Sequence, residues 1–382
     1  MKLVARAAAP LTRASIAPAL ALASKKMQYR KLGHTGLDVS LISFGSWVSF
    51  DYQLGIPQAK EIMQACYESG VNFFDNAEVY AHGKSEEIMG AALYELISEG
   101  NFSRSDIILS TKIYFGATKE PTPTAKGLSR KHIIEGLKDS LRRLNVDYVD
   151  VVFAHRPDPT TPIEETVRAF NWVIEQGWAF YWGTSEWPVE AIQEAHAIAE
   201  RLNLIPPCVE QPQYNLLHRH RVEVEYAPLY GMHSSPIAQA NGSSTITITT
   251  RGGMGLTTFS PLACGLLTGK YGTSGTIPPG SRFSIERYKF LADRWLLEDK
   301  LKKAEALRPL AAEIGATPAQ LALAWCAANP HVSTVLTGAT RVEQVYENVK
   351  ALEFVGKLTP EFLKRIDEAL DTSPTLTSSG KL

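Results

Sequence analysis

The sequence of 382 residues lacks an excess of charge of either sign, because 39 Lys and Arg residues are balanced by 40 Asp and Glu residues. Binding to nucleic acid through its phosphates needs a basic surface, so this balance argues against a nucleic-acid partner. The sequence also lacks any apolar run that approaches the roughly 18 residues of a membrane-spanning helix, which argues against membrane insertion. Hydrophobic residues nevertheless make up 45% of the chain, enough to form the core of a globular protein.

Cysteine is scarce as well. The four cysteines are scattered and include no C-x-x-C pair: Cys66, Cys208, Cys264 and Cys326. This spacing argues against a disulfide scaffold and against a zinc site, and it is typical of a protein from a reducing compartment. We therefore expect a cytoplasmic protein without a metal centre.

Residues 1–26 differ in composition from the rest of the chain. They contain nine alanines and five basic residues but no acidic residue, a composition that resembles a mitochondrial transit peptide. The main alternative is a disordered tail upstream of a second start at Met27. A secretory signal is the weaker alternative, because prolines and an arginine interrupt the apolar stretch. We expect no catalytic residue in this segment.

From Met27 onwards, short apolar segments alternate with longer segments of helical periodicity. The segments Tyr29–Leu32 and Leu37–Leu41 predict a small β-hairpin at the start. Eight further strands are predicted at Leu41–Gly45, Val71–Asp75, Ile107–Lys112, Val149–His155, Ala179–Thr184, Cys208–Gln211, Leu256–Ser260 and Thr334–Gly338. This alternation predicts an α/β fold, a single (β/α)8 TIM barrel over residues 27–372 with a C-terminal tail at 373–382. A doubly wound sheet is the alternative, but the G-x-G-x-x-G turn that would usually follow its first strand is absent.

Residues 231–250 interrupt the alternation. This segment is rich in Ser and Thr, contains no Asp, Glu, Lys or Arg, and separates a helix that ends near Tyr230 from the strand that begins near Leu256. We expect a poorly ordered loop at the bottom of the barrel, with an edge strand over residues 245–249 as the alternative. As a hypothesis, the segment is translated intron sequence. Spliced transcripts that retain codons 231–250 would contradict this hypothesis.

Four residues suited to acid–base chemistry lie at or after the carboxyl ends of predicted strands, where barrels carry their sites. They are Asp75, Tyr80, Lys112 and His155. A phenol has an ordinary pKa of about 10, and an adjacent ammonium is expected to lower that pKa and ease proton donation. A carboxylate would keep the ammonium charged, and a histidine would polarise a carbonyl oxygen. Each residue alone has a simpler structural explanation, but together they predict protonation of an oxygen while hydride reaches its carbon.

Several longer motifs occur together in the order of one known family. They are Gly45-Ser46-Trp47, Asp75–Tyr80, Ser110-Thr111-Lys112, Gly127–Leu137, Tyr148–Phe153, Tyr181–Ser185, Ser260–Gly265 and Leu323–Cys326. With these motifs the chain resembles an aldo-keto reductase, and more closely the branch that contains voltage-gated potassium channel β subunits. The resemblance implies an NADP(H)-dependent oxidoreductase with a small carbonyl substrate, and it implies the four residues above as the catalytic set. Homotetramers are frequent in this branch.

The same matching implies a set of cofactor-binding residues. They are Ser46, Trp47, Gln53, Asp75, Ser185, Gln211, Phe259, Ser260, Pro261, Leu262, Ala263, Cys264, Gly265, Lys270, Ser281, Arg282, Gly338, Thr340, Gln344, Glu347 and Asn348. In this assignment Ser185 and Gln211 bind the nicotinamide carboxamide, and residues 259–265 cross the pyrophosphate. Lys270, Ser281 and Arg282 bind the adenosine 2′-phosphate. The family has Arg at the position of Glu186 and an aromatic residue at Gly280, so no contacts are carried over there.

His155 separates the interpretations of the function. The channel β subunits have Asn at this position, whereas His is typical of the general reductases. We therefore predict an NADPH-dependent carbonyl reductase. The alternative is a channel β subunit-like regulatory protein that holds NADP(H) as a redox sensor, turns over slowly and has a channel partner. A barrel that has lost its cofactor is a third interpretation.

Overall fold

The computed structural model describes residues 27–47, 49–50, 53–231, 236–240, 246–250 and 253–374, with the backbone alone described at 236–240 and 246–250. Segment 1–26 and most of the predicted C-terminal tail lie outside the described residues. The expectations for those two segments therefore stay predictions.

Twelve strands are described along the chain. They are β1 Tyr29–Lys31, β2 Asp38–Ser40, β3 Ile42–Gly45, β4 Phe73–Asp75, β5 Ile108–Ile113, β6 Val149–Ala154, β7 Ala179–Thr184, β8 Val209–Glu210, β9 Pro236–Ala240, β10 Ile246–Thr250, β11 Gly255–Thr258 and β12 Val332–Thr337. Strands β3 to β8, β11 and β12 are parallel and close into a barrel, with Val335 of β12 opposite Ile42 of β3. The predicted (β/α)8 barrel is confirmed.

Ten α-helices are described outside the barrel wall. They are α1 Ile56–Glu68, α2 Lys84–Ser98, α3 Arg130–Leu144, α4 Ile163–Glu175, α5 Val189–Arg201, α6 Lys289–Trp295, α7 Glu298–Glu313, α8 Pro318–Ala328, α9 Val342–Lys350 and α10 Pro360–Leu370. Helix α3 illustrates how the sequence sets their bounds. Ser129 Oγ accepts the N–H of His132 at its start, and Asn145 ends it with a left-handed φ of 54°.

The predicted N-terminal hairpin is confirmed by β1 and β2, which pair antiparallel with Arg30 opposite Val39. Leu32 and Val39 are fully buried and pack with residues inside the barrel. The turn of the hairpin lies so close to the barrel that a Cβ at Gly33 would come within 2.5 Å of the Cys208 carbonyl oxygen. The hairpin therefore closes the amino-terminal end of the barrel, and the opposite end is left for a ligand.

The segment between β8 and β11 departs most from a regular barrel. Short helical turns at Arg221–Glu225 and Ala227–Gly231 take the place of a long helix. After them, β9 and β10 pair antiparallel in a sheet separate from the barrel, close to the strand considered for 245–249. Residues 232–235, 241–245 and 251–252 lie outside the described residues. Poor order in this segment and its origin as intron sequence both stay predictions.

Two further observations concern the chain as a whole. The four cysteines are free and buried. Among the helices of the described ranges, none combines the length and the apolar character that a bilayer span requires.

Candidate active site

A cavity of about 810 Å³ lies at the carboxyl ends of the barrel strands. Asp75, Tyr80 and His155 line it, whereas Lys112 lies completely buried behind its wall. All the residues predicted to bind a cofactor line the cavity except Ser46 and Ala263, which are fully buried. The sequence thus predicted a set of residues that the fold brings to one cavity.

Asp75, Lys112 and Tyr80 form a hydrogen-bonded cluster at this cavity. Lys112 Nζ lies 2.5 Å from Asp75 Oδ2 and 3.0 Å from the hydroxyl oxygen of Tyr80. Side chains alternate between the two faces of a strand, so Ser110 and Lys112 of β5 both point inward to Asp75. Thr111, between them, points outward and donates to a carboxylate of α2. The strand period therefore places the ammonium beside the phenol.

The protonation states of this cluster follow from burial and from neighbouring charges. Burial raises the pKa of Tyr80, and this effect outweighs the charge of Lys112, which lowers it. Lys112 thus acts on the phenol in the expected direction, but burial, which the sequence did not reveal, has the larger effect. Burial opposes the charge on Lys112, but Asp75 and Tyr80 together raise the pKa of Lys112. Both shifts favour a protonated phenol beside a charged ammonium at neutral pH.

His155 follows β6 and lies next to Tyr80. The two ring centroids are 5.9 Å apart in an edge-on contact, and Phe115 packs edge-on against the other side of the imidazole at 5.1 Å. Burial lowers the pKa of His155 well below its ordinary value, and the charges of Lys112 and Arg156 lower it further. Its Nδ1 is buried without a hydrogen-bond partner in the described part of the chain. Nε2 is not among the polar atoms sealed from solvent, so it is the nitrogen through which a neutral imidazole can hydrogen-bond a ligand.

A second set of hydrogen bonds fixes the residues around Asp75. Ser110 Oγ donates to Asp75 Oδ1 at 2.8 Å, and Gln211 Nε2 lies 3.2 Å from the same oxygen. Ser185 Oγ donates to the backbone carbonyl of Gln211 at 2.9 Å and accepts from Arg156 Nη1 at 3.0 Å. The ends of β7 and β8 are therefore joined to the cluster through side chains.

The far part of the cavity is cationic. Burial lowers the pKa of Lys270, and the neighbouring charges of Arg282 and Arg341 lower it further. None of the three forms an ion pair with a described carboxylate. Such a group of unpaired cations favours an anionic ligand, and a phosphate accepts hydrogen bonds from both guanidinium and ammonium groups.

Residues 259–265 form the wall between the two parts of the cavity. Their backbone turns sharply, with left-handed φ values of 54° at Ser260, 48° at Ala263, 56° at Cys264 and 91° at Gly265. Successive residues of this kind can point backbone N–H groups toward an anion. Other residues of the predicted cofactor set lie around the start of α9, where Thr340 N–H donates to Gln344 Oε1 at 2.8 Å.

Other residues of the cavity were not predicted from the sequence. The cavity is also lined by Phe115, Arg156 and Arg341. Of these, Arg156 could have been predicted from the sequence, because it directly follows His155. Gly280 lines the cavity without a side chain, whereas Glu186 does not line it. Glu186 instead forms an ion pair with Arg221 at 3.2 Å. Among the described residues no cluster of His, Cys, Asp and Glu could hold a metal ion.

A buried ion pair behind the cavity links the loop of Tyr80 to the loop of Phe115. Glu78 Oε1 accepts the N–H groups of Tyr114 and Gly116 at 2.7 and 2.8 Å. Glu78 Oε2 lies 3.4 Å from His132 Nε2, and His132 Nδ1 lies 2.8 Å from the carbonyl oxygen of Gly127. Both ring nitrogens face acceptors, so this geometry favours a doubly protonated imidazolium.

This ion pair makes stability depend on pH. Burial opposes the charge on His132, but Glu78, with smaller contributions from the Gly127 carbonyl and Glu135, outweighs burial and raises the pKa of His132. The stabilisation is therefore complete below the ordinary pKa of about 6.5 and is lost as pH rises through the raised value. We expect His132→Gln to lower the free energy of unfolding by about 2 kcal/mol at low pH and by less at high pH. Urea unfolding near pH 6 and pH 9 measures this, with His220→Gln at an exposed histidine as the control.

If His132→Gln lost the same free energy of unfolding at both pH values, the charge on the imidazolium would contribute nothing to stability.

Together these features define a class of protein: a (β/α)8 barrel whose cavity joins a buried cluster of ionisable groups to a cationic end. Residues 41–371 match the model of the Aldo/keto reductase family, and the chain belongs to this family. The family predicted from the sequence is therefore confirmed.

The chain is similar to curated proteins over nearly its whole length. It is 55% identical over 348 residues to a probable voltage-gated potassium channel subunit beta of Arabidopsis thaliana, covering 91% of this chain and 98% of that protein. It is 53% identical over 353 residues to a protein of the same description from Oryza sativa subsp. japonica, covering 92% and 99%. A putative voltage-gated potassium channel subunit beta of Schizosaccharomyces pombe is 46% identical over 354 residues, covering 92% and 95%. The resemblance to the channel β subunit branch is confirmed.

Proposed function

We propose that the protein is an NADPH-dependent reductase that converts an aldehyde or a ketone to an alcohol. The observation that carries the proposal is the buried cluster of Asp75, Lys112 and Tyr80 beside a neutral His155. Membership in the Aldo/keto reductase family supports the oxidoreductase class.

Each residue of the cluster has a distinct role in this proposal. NADPH, when bound, supplies a hydride to the carbonyl carbon. Tyr80 donates its proton to the carbonyl oxygen as negative charge develops there. Lys112 stabilises the phenolate that remains, and Asp75 keeps the ammonium charged and in place. His155 orients the oxygen by a hydrogen bond, as a neutral imidazole can.

The residues along the cavity fit NADP(H). Ser185 and Gln211 offer polar groups beside the cluster, where they would hold the nicotinamide carboxamide. The left-handed backbone at Ser260 and Cys264 offers N–H groups for the pyrophosphate. The unpaired cations described above would hold a 2′-phosphate, which favours NADP(H) over NAD(H).

Replacement of Lys270 tests this preference. Lys270→Met removes one charge from the proposed phosphate site, so we expect the Kd for NADPH to rise about 10- to 100-fold. The Kd for NADH, which has no 2′-phosphate, should change less than about threefold. Fluorescence titration measures both constants, with Lys302→Met on the exposed surface of α7 as the control. Equal weakening for both cofactors would contradict a 2′-phosphate site at Lys270.

A turnover assay tests the proposed activity. Purified protein mixed with excess NADPH and 4-nitrobenzaldehyde should oxidise many equivalents of cofactor per barrel and form an equal amount of 4-nitrobenzyl alcohol. Cofactor absorbance and chromatography of the alcohol give the two amounts. No alcohol above a protein-free control would contradict the proposed activity.

The relatives named as channel β subunits support a second candidate. In this candidate the barrel holds NADP(H) as a redox sensor for a channel partner, and a single slow cofactor oxidation per barrel would favour it. His155 argues for the reductase instead, because an imidazole can polarise a carbonyl oxygen. A homotetramer and a cytoplasmic location remain part of either proposal. A barrel without cofactor would leave tryptophan fluorescence unchanged on addition of NADPH, although Trp47 lines the cavity.

A further inference from the structure

The substrate end of the cavity carries an unbalanced positive charge among the described residues. Asp75 and Lys112 form an ion pair at 2.5 Å, and the low pKa of His155 leaves it neutral. Arg156 lines the same end and forms no ion pair with a described carboxylate. The other described carboxylate that lines the cavity, Glu347, belongs to α9 and accepts from Thr317 at 3.2 Å.

The hydrogen bonds of Arg156 leave one edge of its guanidinium unused. Nη1 donates to the backbone carbonyl of His155 and, at 3.0 Å, to Ser185 Oγ. Nε and Nη2 have no partner in the described part of the chain, and neither is among the polar atoms sealed from solvent. These two nitrogens lie on the same edge of the plane. That edge can donate two parallel hydrogen bonds to the two oxygens of one carboxylate.

The guanidinium also lies close to the reacting groups. Arg156 directly follows His155 in the chain; its charge adds to the lowering of the pKa of His155 by burial and partly opposes the rise that burial causes in the pKa of Tyr80. Ser185 and His155, the two residues that hold Nη1, lie at the ends of β7 and β6. The guanidinium is thus fixed on one side, and its free edge belongs to a residue that lines the cavity together with Tyr80 and His155.

We propose that Arg156 binds a carboxylate of the substrate, so that the protein selects aldehydes or ketones that carry an anionic group. This inference rests on the proposed reductase activity and names its substrate class. Arg156 is a specificity-determining residue in this account. The carboxylate neutralises the charge that the cavity leaves unpaired.

Matched pairs of substrates test the inference. The 2-, 3- and 4-carboxybenzaldehydes differ from their methyl esters by one charge, and comparison of the three isomers allows for the unknown position of the carboxylate. For the best isomer, we expect kcat/KM to exceed that of its ester at least tenfold in the unaltered protein. Arg156→Gln should reduce this ratio about 10- to 100-fold, because a charge-assisted double hydrogen bond is lost. Arg156→Lys keeps the charge but loses the planar edge. Its acid-to-ester ratio should therefore lie between that of the unaltered protein and that of Arg156→Gln.

The acid-to-ester ratio separates this role from a general effect on the site. Arg168→Gln on the exposed face of α4 serves as a control and should leave the ratio unchanged. Equal rates for acids and esters in the unaltered protein would overturn the inference, although the reductase proposal would stand. Parallel losses for acid and ester in Arg156→Gln, together with a weaker Kd for NADPH, would assign Arg156 to cofactor binding and also overturn it.

A binding measurement decides the case in which no aldehyde is reduced. The absence of any aldehyde reduction would overturn the reductase proposal. The carboxylate site is then tested by titration of the NADP+-loaded protein with benzoate and with benzamide. Calorimetric binding of benzoate that is at least tenfold tighter than that of benzamide, and that Arg156→Gln abolishes, supports the site. Absence of this difference overturns it.

Discussion

Tyr80→Phe is expected to lower kcat for carbonyl reduction by about 10²- to 10⁴-fold, the usual contribution of a positioned proton donor. The substitution removes the hydroxyl that lies 3.0 Å from Lys112 Nζ, while the ring can keep its edge-on contact with His155. Because the phenol serves proton transfer, we expect the Kd for NADPH to change less than about threefold. Stopped-flow absorbance and fluorescence titration give the two quantities.

A second tyrosine provides the matched control for this experiment. Tyr94 lies in α2 and is 53% exposed, away from the cavity formed at the strand ends. Tyr94→Phe should leave both the rate and the cofactor affinity unchanged. Retention of most of the rate by Tyr80→Phe would mean that another group protonates the oxygen.

Lys112→Met is expected to destabilise the barrel by about 3 to 5 kcal/mol and to abolish turnover. The ammonium is completely buried and donates to Asp75, to Tyr80 and, at 2.7 Å, to the backbone carbonyl of Asn76. Its removal leaves the Asp75 carboxylate buried without its counter-ion, which accounts for a cost of this size. Urea unfolding followed by tryptophan fluorescence measures the change in the free energy of unfolding.

A double variant separates stability from chemistry. Asp75→Asn combined with Lys112→Met removes both charges, so it should recover much of the lost stability, since a buried ion pair can often be replaced at little cost. Turnover should stay abolished, because the phenolate of Tyr80 would have no ammonium. Lys84→Met, which breaks an exposed pair with Glu87, should cost less than about 1 kcal/mol. A double variant as unstable as the single one would contradict the role of the buried pair.

The sequence predicted the barrel because its strands are short, apolar and regularly spaced, a pattern that depends only on local periodicity. The approach of Lys112 to Asp75 was also predictable, because both residues lie at the carboxyl ends of predicted strands. The eighth β-strand in chain order, Val209–Glu210, is shorter than the predicted Cys208–Gln211. After this strand, short helical turns replace the helix that was predicted to end near Tyr230. This difference depends on contacts between segments, which the local pattern of one segment does not reveal.

The electrostatics of the site could not be predicted in the same way. The pKa of Tyr80 depends on the balance between burial and the charge of Lys112, and the sequence reveals only the charge. The pair of Glu78 and His132 joins residues 54 positions apart through two loops, and no motif predicts it. The unused edge of Arg156 likewise depends on which neighbours occupy Nη1. These properties emerge only when the loops are packed together.

The pH dependence of reduction tests most directly whether Tyr80 is the proton donor. Burial raises the pKa of Tyr80 above its ordinary value of about 10, so the phenol stays protonated and kcat should be constant between about pH 6 and pH 9. An imidazolium donor at His155, whose pKa is well below its ordinary value, would give a rate that falls about tenfold per pH unit over the same range. The measurement is kcat at saturating NADPH and 4-nitrobenzaldehyde across this interval. A flat profile is the predicted result, and a steady tenfold decline per unit would contradict Tyr80 as the donor.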